Sequence, residues 1–212
     1  MLVAFSCRGR SFCPSCEKKR QLLRTEWLCE EVLVKIAHRH VVLTIPRLLG
    51  PLFRRRRELL TELGRAAAEA VSEFVRRGIG DDARPGIVVA IATAGDLVQW
   101  HPHVHLLTTD WGRAADGSWQ PLLEWDGAPL MTLFRERLLA RLVESHVLSQ
   151  ELVAKLVGWK HPGFSTHVGE IGRILDHLGL STPEAAKPPP PAPEVLRVAE
   201  HGDGWGVPAE WE

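Results

Sequence analysis

The sequence has 212 residues, of which 45% are hydrophobic and 25% are charged, a composition typical of a soluble globular protein. Lysine plus arginine and aspartate plus glutamate both total 26, so the net charge neither favours nor excludes a nucleic-acid partner. No apolar stretch approaches the roughly 18 residues of a membrane span, and the N-terminus lacks the pattern of a signal peptide. We therefore expect a cytoplasmic protein without a membrane partner, built as one sizeable domain with a small appendage.

The first candidate site lies near the N-terminus, where three of the four cysteines fall within ten residues. Cys13 and Cys16 have the spacing of a zinc knuckle, and Cys7 lies upstream. Thiolates at this spacing bind Zn²⁺ tetrahedrally, which needs a fourth ligand. The alternative is three reduced cysteines in a structureless arm. The basic residues that flank this segment and suit contact with DNA phosphates are Arg8, Arg10, Lys18, Lys19 and Arg20.

A helical pattern of apolar residues then extends from about residue 14 to residue 36. Over thirteen residues of continuous helix, a rise of about 1.5 Å per residue separates Cys16 from Cys29 by roughly 20 Å. Cys29 is therefore excluded from the zinc site, and we expect it to be a buried core thiol.

The rest of the chain alternates predicted strands and helices. Residues 40–45 are apolar and β-branched, which predicts a buried strand, and residues 51–78 carry the pattern of one long helix. This helix begins with four arginines at 54–57, which are either a solvated face or a surface that neutralises phosphates. Further strands are predicted at 86–93, 98–108, 118–122 and 164–168, and further helices at 129–145, 148–157 and 171–178. Strands separated by long helices predict an α+β fold with helices on one face of a sheet.

The strongest chemical signal is a run of three histidines in five residues, at positions 101, 103 and 105. Alternate residues of a strand share a face, so His103 and His105 point the same way with Val104 buried behind them. Two such imidazoles can hold one divalent cation and leave positions open for substrate oxygens. His101 has the same parity and is a candidate third ligand. The alternative is a set of surface histidines on an edge strand.

These segments resemble a known family. Residues 99–107 are similar to the His-hydrophobic-His signature of the HUH endonucleases, and more narrowly to the two-tyrosine rolling-circle transposases of bacterial insertion sequences. The other segments that match in the same order are residues 5–16, 40–46, 93–97 and 163–168.

The resemblance implies a ferredoxin-like antiparallel sheet with the metal-binding histidines on a central strand, and an N-terminal zinc-knuckle remnant. It implies Mg²⁺ or Mn²⁺ at the histidines, Zn²⁺ at the cysteines, and the single-stranded ends of an insertion sequence as the DNA partner. The expected activity is single-strand DNA cleavage and strand transfer, in which a tyrosine attacks a phosphodiester and stays joined to the 5′ end. The corresponding domains are a partial zinc segment with a linking helix (1–36), a transposase core without the tyrosine helix (37–180) and a Pro-rich, disordered tail (181–212).

The sequence contains no tyrosine. We therefore expect a truncated or internally deleted copy that is impaired or inactive in transposition. One alternative is a DNA-binding regulatory fragment without catalysis, which represses an intact transposase. A further alternative is a small-molecule metallohydrolase. That class usually places an aspartate two residues after the second histidine, where this sequence has Leu107, and the nearest downstream acid is Asp110.

Overall fold

The computed structural model describes residues 14–95, 99–159 and 163–169. The helices within these ranges are α1 (Pro14–Trp27), α2 (Gly50–Arg55), α3 (Leu59–Ile79), α4 (Gly127–Glu144) and α5 (Gln150–Gly158). The strands are β1 (His38–Thr44), β2 (Ile87–Ala94), β3 (Trp100–Thr109), β4 (Trp111–Arg113), β5 (Trp119–Pro121) and β6 (Ser165–Val168). A π-helical turn (Leu28–Val32) follows α1, and a 3₁₀ turn (Arg47–Leu49) precedes α2. The helix predicted at 171–178 and the tail predicted from 181 lie outside the described residues.

Four of the strands form one sheet in the order β2-β3-β1-β6, and each neighbouring pair is antiparallel. The two remaining strands, β4 and β5, pair as a separate small hairpin. The predicted α+β class with an antiparallel sheet is therefore confirmed. Within the described part of the chain, no helix is long and apolar enough to cross a membrane.

The core lies between the sheet and a layer formed by α3 and α4, which pack against each other. The central strands contribute the fully buried Val41, Leu43, Val104 and Leu106. The helical layer contributes a stripe of buried side chains spaced three or four residues apart, as an amphipathic helix requires. Helix α3 ends before Gly80, whose φ of +151° lies in a region that L side chains rarely adopt.

The long helix predicted over 51–78 is wrong, because the structure divides it into α2 and α3. Arg56 leaves the helical conformation, with φ −122° and ψ 82°. The reason is the burial of Phe53 and Leu59, which are 0% and 2% exposed. Six residues apart on one straight helix, these side chains would point about 120° apart, so the break lets both reach the core.

Candidate functional site

The histidines of β3 lie on the sheet face opposite the helical layer. Along this strand Val104 and Leu106 are fully buried, whereas His101, His103 and His105 are half-buried. The alternation predicted from the sequence is therefore present, with the histidines on one face and the aliphatic side chains in the core. The neighbouring strand β2 places only methyl groups beside the rings, since Ala90 is paired with His105 and Ala92 with His103.

The imidazole rings of His103 and His105 are immediate neighbours, with centroids 4.9 Å apart. Nδ1 of His103 lies 2.7 Å from the backbone oxygen of His101. A carbonyl oxygen can only accept, so Nδ1 of His103 carries the proton, and Nε2 of the neutral ring keeps a free lone pair. This hydrogen bond fixes the tautomer and the orientation of the ring, as metal-binding histidines require.

A fourth histidine joins the group from β1. Nε2 of His40 lies 2.9 Å from Nδ1 of His105, and the two rings are within 10° of parallel planes. Because one nitrogen must donate and the other accept, the contact ties the tautomer of His105 to that of His40. The sequence-based interpretation gave His40 no part in this site. The register that brings it there, with Val42 opposite His105, joins residues far apart in the chain.

The electrostatics favour the neutral form of the His105 and His40 rings. Burial, followed by the nearby His103 and His40, lowers the pKa of His105 from its ordinary value. Burial and the nearby His167 lower the pKa of His40 in the same way. A cation binds the neutral form of imidazole, and both pKa shifts favour that form of His105 and His40 at neutral pH.

The residues present fit a cation held by two imidazoles. His103 and His105 offer adjacent nitrogen donors on an accessible face, and the hydrogen bond of His103 leaves its Nε2 able to coordinate. Among the described residues, no group of three or more His, Cys, Asp and Glu side chains is placed to hold a metal ion. The ring centroid of His101 lies 5.4 Å from that of His103, and a third-ligand role for His101 stays a prediction.

The acid nearest to the histidines in the sequence is engaged elsewhere. Asp110 is 6% exposed and accepts two hydrogen bonds from the guanidinium of Arg39, at 2.8 and 3.1 Å. Arg39 also donates to the backbone oxygen of Gly169 and lies over the ring of Trp125. Both carboxylate oxygens of Asp110 are therefore occupied, which weakens the case for a metallohydrolase that uses this acid.

The N-terminal candidate site is described only in part. Cys7, Cys13, Arg8 and Arg10 lie outside the described residues. Cys16 lies in the first turn of α1 and is half-buried; Lys18 and Lys19 are exposed and Arg20 is half-buried.

Cys29, expected in the core, is only half-buried and lies in the π-helical turn. Burial and the nearby Glu30 raise the pKa of its thiol. Helical structure continues from Cys16 to Cys29, in line with the roughly 20 Å separation expected from the helical rise.

Comparison with known proteins finds two partial similarities, both to transposases. Residues 1–45 match the family model of the transposase zinc-binding domain found in IS91-type elements. Over 120 residues the chain is 38% identical to the transposase for insertion sequence element IS801 from Pseudomonas savastanoi pv. phaseolicola. That alignment covers 55% of this chain and 27% of the relative, so the chain spans about a quarter of the curated protein that it matches. No solved structure matches.

Over part of its length the chain is therefore similar to a transposase. That relative belongs to an insertion sequence element, and the N-terminal segment of the chain matches a transposase zinc-binding domain.

Proposed function

We propose that this chain is a DNA-binding transposase segment whose histidine pair holds a divalent cation for single-strand DNA cleavage. The observation that carries the proposal is the pair of imidazoles, His103 and His105, side by side on the accessible face of a central strand. The similarity to the IS801 transposase supports DNA as the partner. The form of DNA that we propose is the single-stranded ends of an insertion sequence.

The topology supports an HUH-type core. The elements β1, α3, β2, β3, α4 and β6 follow one another as β-α-β-β-α-β, and the strand order β6-β1-β3-β2 is that of a ferredoxin-like sheet. We assign this core to residues 37–180, with a zinc segment and linking helix at 1–36 and a Pro-rich tail at 181–212. The match of the zinc-binding domain model supports Zn²⁺ at Cys7, Cys13 and Cys16.

In the proposed site each histidine has a separate task. His103, fixed by the carbonyl of His101, presents Nε2, and His105, held by His40, presents its own free nitrogen beside it. A bound Mg²⁺ or Mn²⁺ would supply the positive charge that polarises a phosphodiester and stabilises its cleavage. His101 is the proposed third ligand. The basic residues proposed to contact DNA phosphates at the N-terminus are Arg8, Arg10, Lys18, Lys19 and Arg20.

Covalent strand transfer needs a nucleophile, and the sequence contains no tyrosine. We therefore propose that this chain binds and positions DNA but is impaired in transposition unless another chain supplies the hydroxyl. The same observation favours a second candidate function, a regulatory fragment that occupies the ends of the element and represses an intact transposase.

A titration with Mn²⁺ followed by calorimetry tests the metal site. We expect one Mn²⁺ per chain at the histidine pair and loss of that binding in His103→Ala/His105→Ala. The matched control is His146→Asn, which alters an exposed histidine at φ +52° to a residue that tolerates this conformation. Equal Mn²⁺ binding by the double variant and the wild type would refute the proposed metal site.

Incubation with a labelled single strand from an insertion-sequence end tests the DNA partner and the chemistry. We expect tighter binding than to a scrambled strand, and no covalent protein–DNA product on a denaturing gel. Equal affinity for both strands would refute recognition of the ends, and a covalent product would refute the impairment. The regulatory alternative predicts DNA binding that is unchanged by His103→Ala/His105→Ala.

A further inference from the structure

A patch of exposed arginines lies where β3 begins. Residues 46–58 contain five arginines and one glutamate. The glutamate, Glu58, accepts from Arg56 at 2.9 Å. Arg56 belongs to a run of four consecutive arginines at 54–57. The other three, Arg54, Arg55 and Arg57, are exposed and form no ion pair within the part of the chain that the structure describes.

Arginines of the helical layer behave differently. Arg76 and Arg77 both bind Glu73, and Arg65 binds Glu62. Arg141 bridges to acids of α3. The positive charge of these four arginines is thus neutralised by neighbouring acids, whereas Arg54, Arg55 and Arg57 have no such acid among the described residues and can bind an anion.

The arginine patch, defined as Arg54, Arg55 and Arg57, is fixed to the histidine strand by Trp100. The guanidinium carbon of Arg57 lies 5.1 Å from the ring centroid of Trp100. The indole nitrogen of Trp100 donates to the backbone oxygen of Gly50 at 2.8 Å, which holds the start of α2 against β3. Trp100 is the first residue of β3 and the neighbour of His101.

This placement sets the patch at the end of the sheet that carries His101 and His103. Thr44, the last residue of β1, is paired with His103. The chain then turns through the 3₁₀ segment into α2, so the segment that bears the arginines, the end of α2 and the residues after it, follows the sheet at the same end. Trp100 packs on the core side of the sheet, whereas His101 and His103 lie on the opposite face, so a polyanionic strand bound at the patch would pass around this end of the sheet to reach the histidines.

We propose that Arg54, Arg55 and Arg57 contact the phosphates of single-stranded DNA and lead the strand to the histidine pair. The guanidinium fork matches phosphate oxygens with two parallel hydrogen bonds, and the planar Arg57 on Trp100 is held in one orientation for this contact. The inference rests on the proposed DNA-binding function and names the surface that performs it.

The test is the salt dependence of binding to a fluorescein-labelled single strand, measured by anisotropy without added divalent cation. Each phosphate contact on a single strand contributes about 0.7 to the slope of log K against log salt. The variant Arg54→Ala/Arg55→Ala/Arg57→Ala is therefore expected to reduce the magnitude of the slope by about 2. Arg54→Ala/Arg55→Ala, which keeps the contact with Trp100, is expected to reduce it by about 1.4.

The matched control, Arg65→Ala/Arg76→Ala/Arg77→Ala, removes the same formal charge from the exposed surface of α3 and is expected to leave the slope unchanged. If wild type binds DNA and the patch variants keep its slope, the patch is refuted while the proposed function stands. Equal losses in the control and the patch variant would also refute the patch, because the effect would then come from net charge. No salt-dependent binding by the wild type refutes both proposals.

Discussion

His40 is expected to control the metal affinity of His105 although it lies on another strand. Its Nε2 is 2.9 Å from Nδ1 of His105, and this contact is the hydrogen bond that orients the His105 ring. In His40→Ala that ring loses its partner and rotates more freely, so the nitrogen that binds the cation is no longer held in one orientation.

The expected loss of metal affinity follows from the effect of comparable hydrogen-bond partners on other metal-binding histidines. Loss of a hydrogen bond to a metal-binding histidine typically weakens metal binding about 10- to 100-fold. This factor corresponds to about 1.4–2.8 kcal/mol of binding free energy. A change in the pKa of His105 also weakens metal binding in this variant. The charge of His40 helps to lower the pKa of His105, so removal of His40 raises that pKa and increases competition by protons.

The assay is calorimetric titration with Mn²⁺ at pH 7.5, where both rings are neutral and the positional effect dominates. His40→Gln, whose amide can still bind Nδ1 of His105, is expected to retain part of the affinity. His146→Asn is the matched control, because His146 is an exposed histidine at the end of α4 that takes no part in the histidine group. An affinity of His40→Ala within twofold of wild type, or an equal loss in His146→Asn, would show that His40 does not position His105.

Three further changes test the fold around the site. Asp110→Ala leaves the guanidinium of Arg39 buried without its partner, so we expect a loss of about 3 kcal/mol in the free energy of unfolding by urea; a loss below about 1 kcal/mol would contradict this role. Phe134→Ala empties a fully buried position, and we expect a cost of about 3–5 kcal/mol in the same measurement. Burial lowers the pKa of His38, so below the ordinary histidine value of about 6.5 the unfolded chain takes up a proton that the folded chain resists. The free energy of unfolding should therefore fall as the pH is lowered from 7 to 5, and His38→Gln should flatten that slope; an unchanged slope would exclude His38 as the cause.

Local regularities of the chain were readable from the sequence. The alternation along β3 predicted that His101, His103 and His105 share a face, because successive residues of a strand point to opposite sides wherever the strand lies. The apolar periodicity of α3 and the alternation of strands with helices predicted the α+β class for the same reason. The missing tyrosine was also a property of the sequence alone.

Only the tertiary structure decided which distant residues meet. His40 contacts His105 across 65 positions, and that contact depends on the register between β1 and β3, since a shift of one residue would turn His40 to the other face. The division of the predicted long helix depended on a core that draws in both Phe53 and Leu59. The pairing of Asp110 with Arg39 and the stacking of Arg57 on Trp100 likewise join elements far apart in the chain. Short-range periodicity fixes the direction of each side chain within its element, whereas packing of the whole chain selects its neighbours.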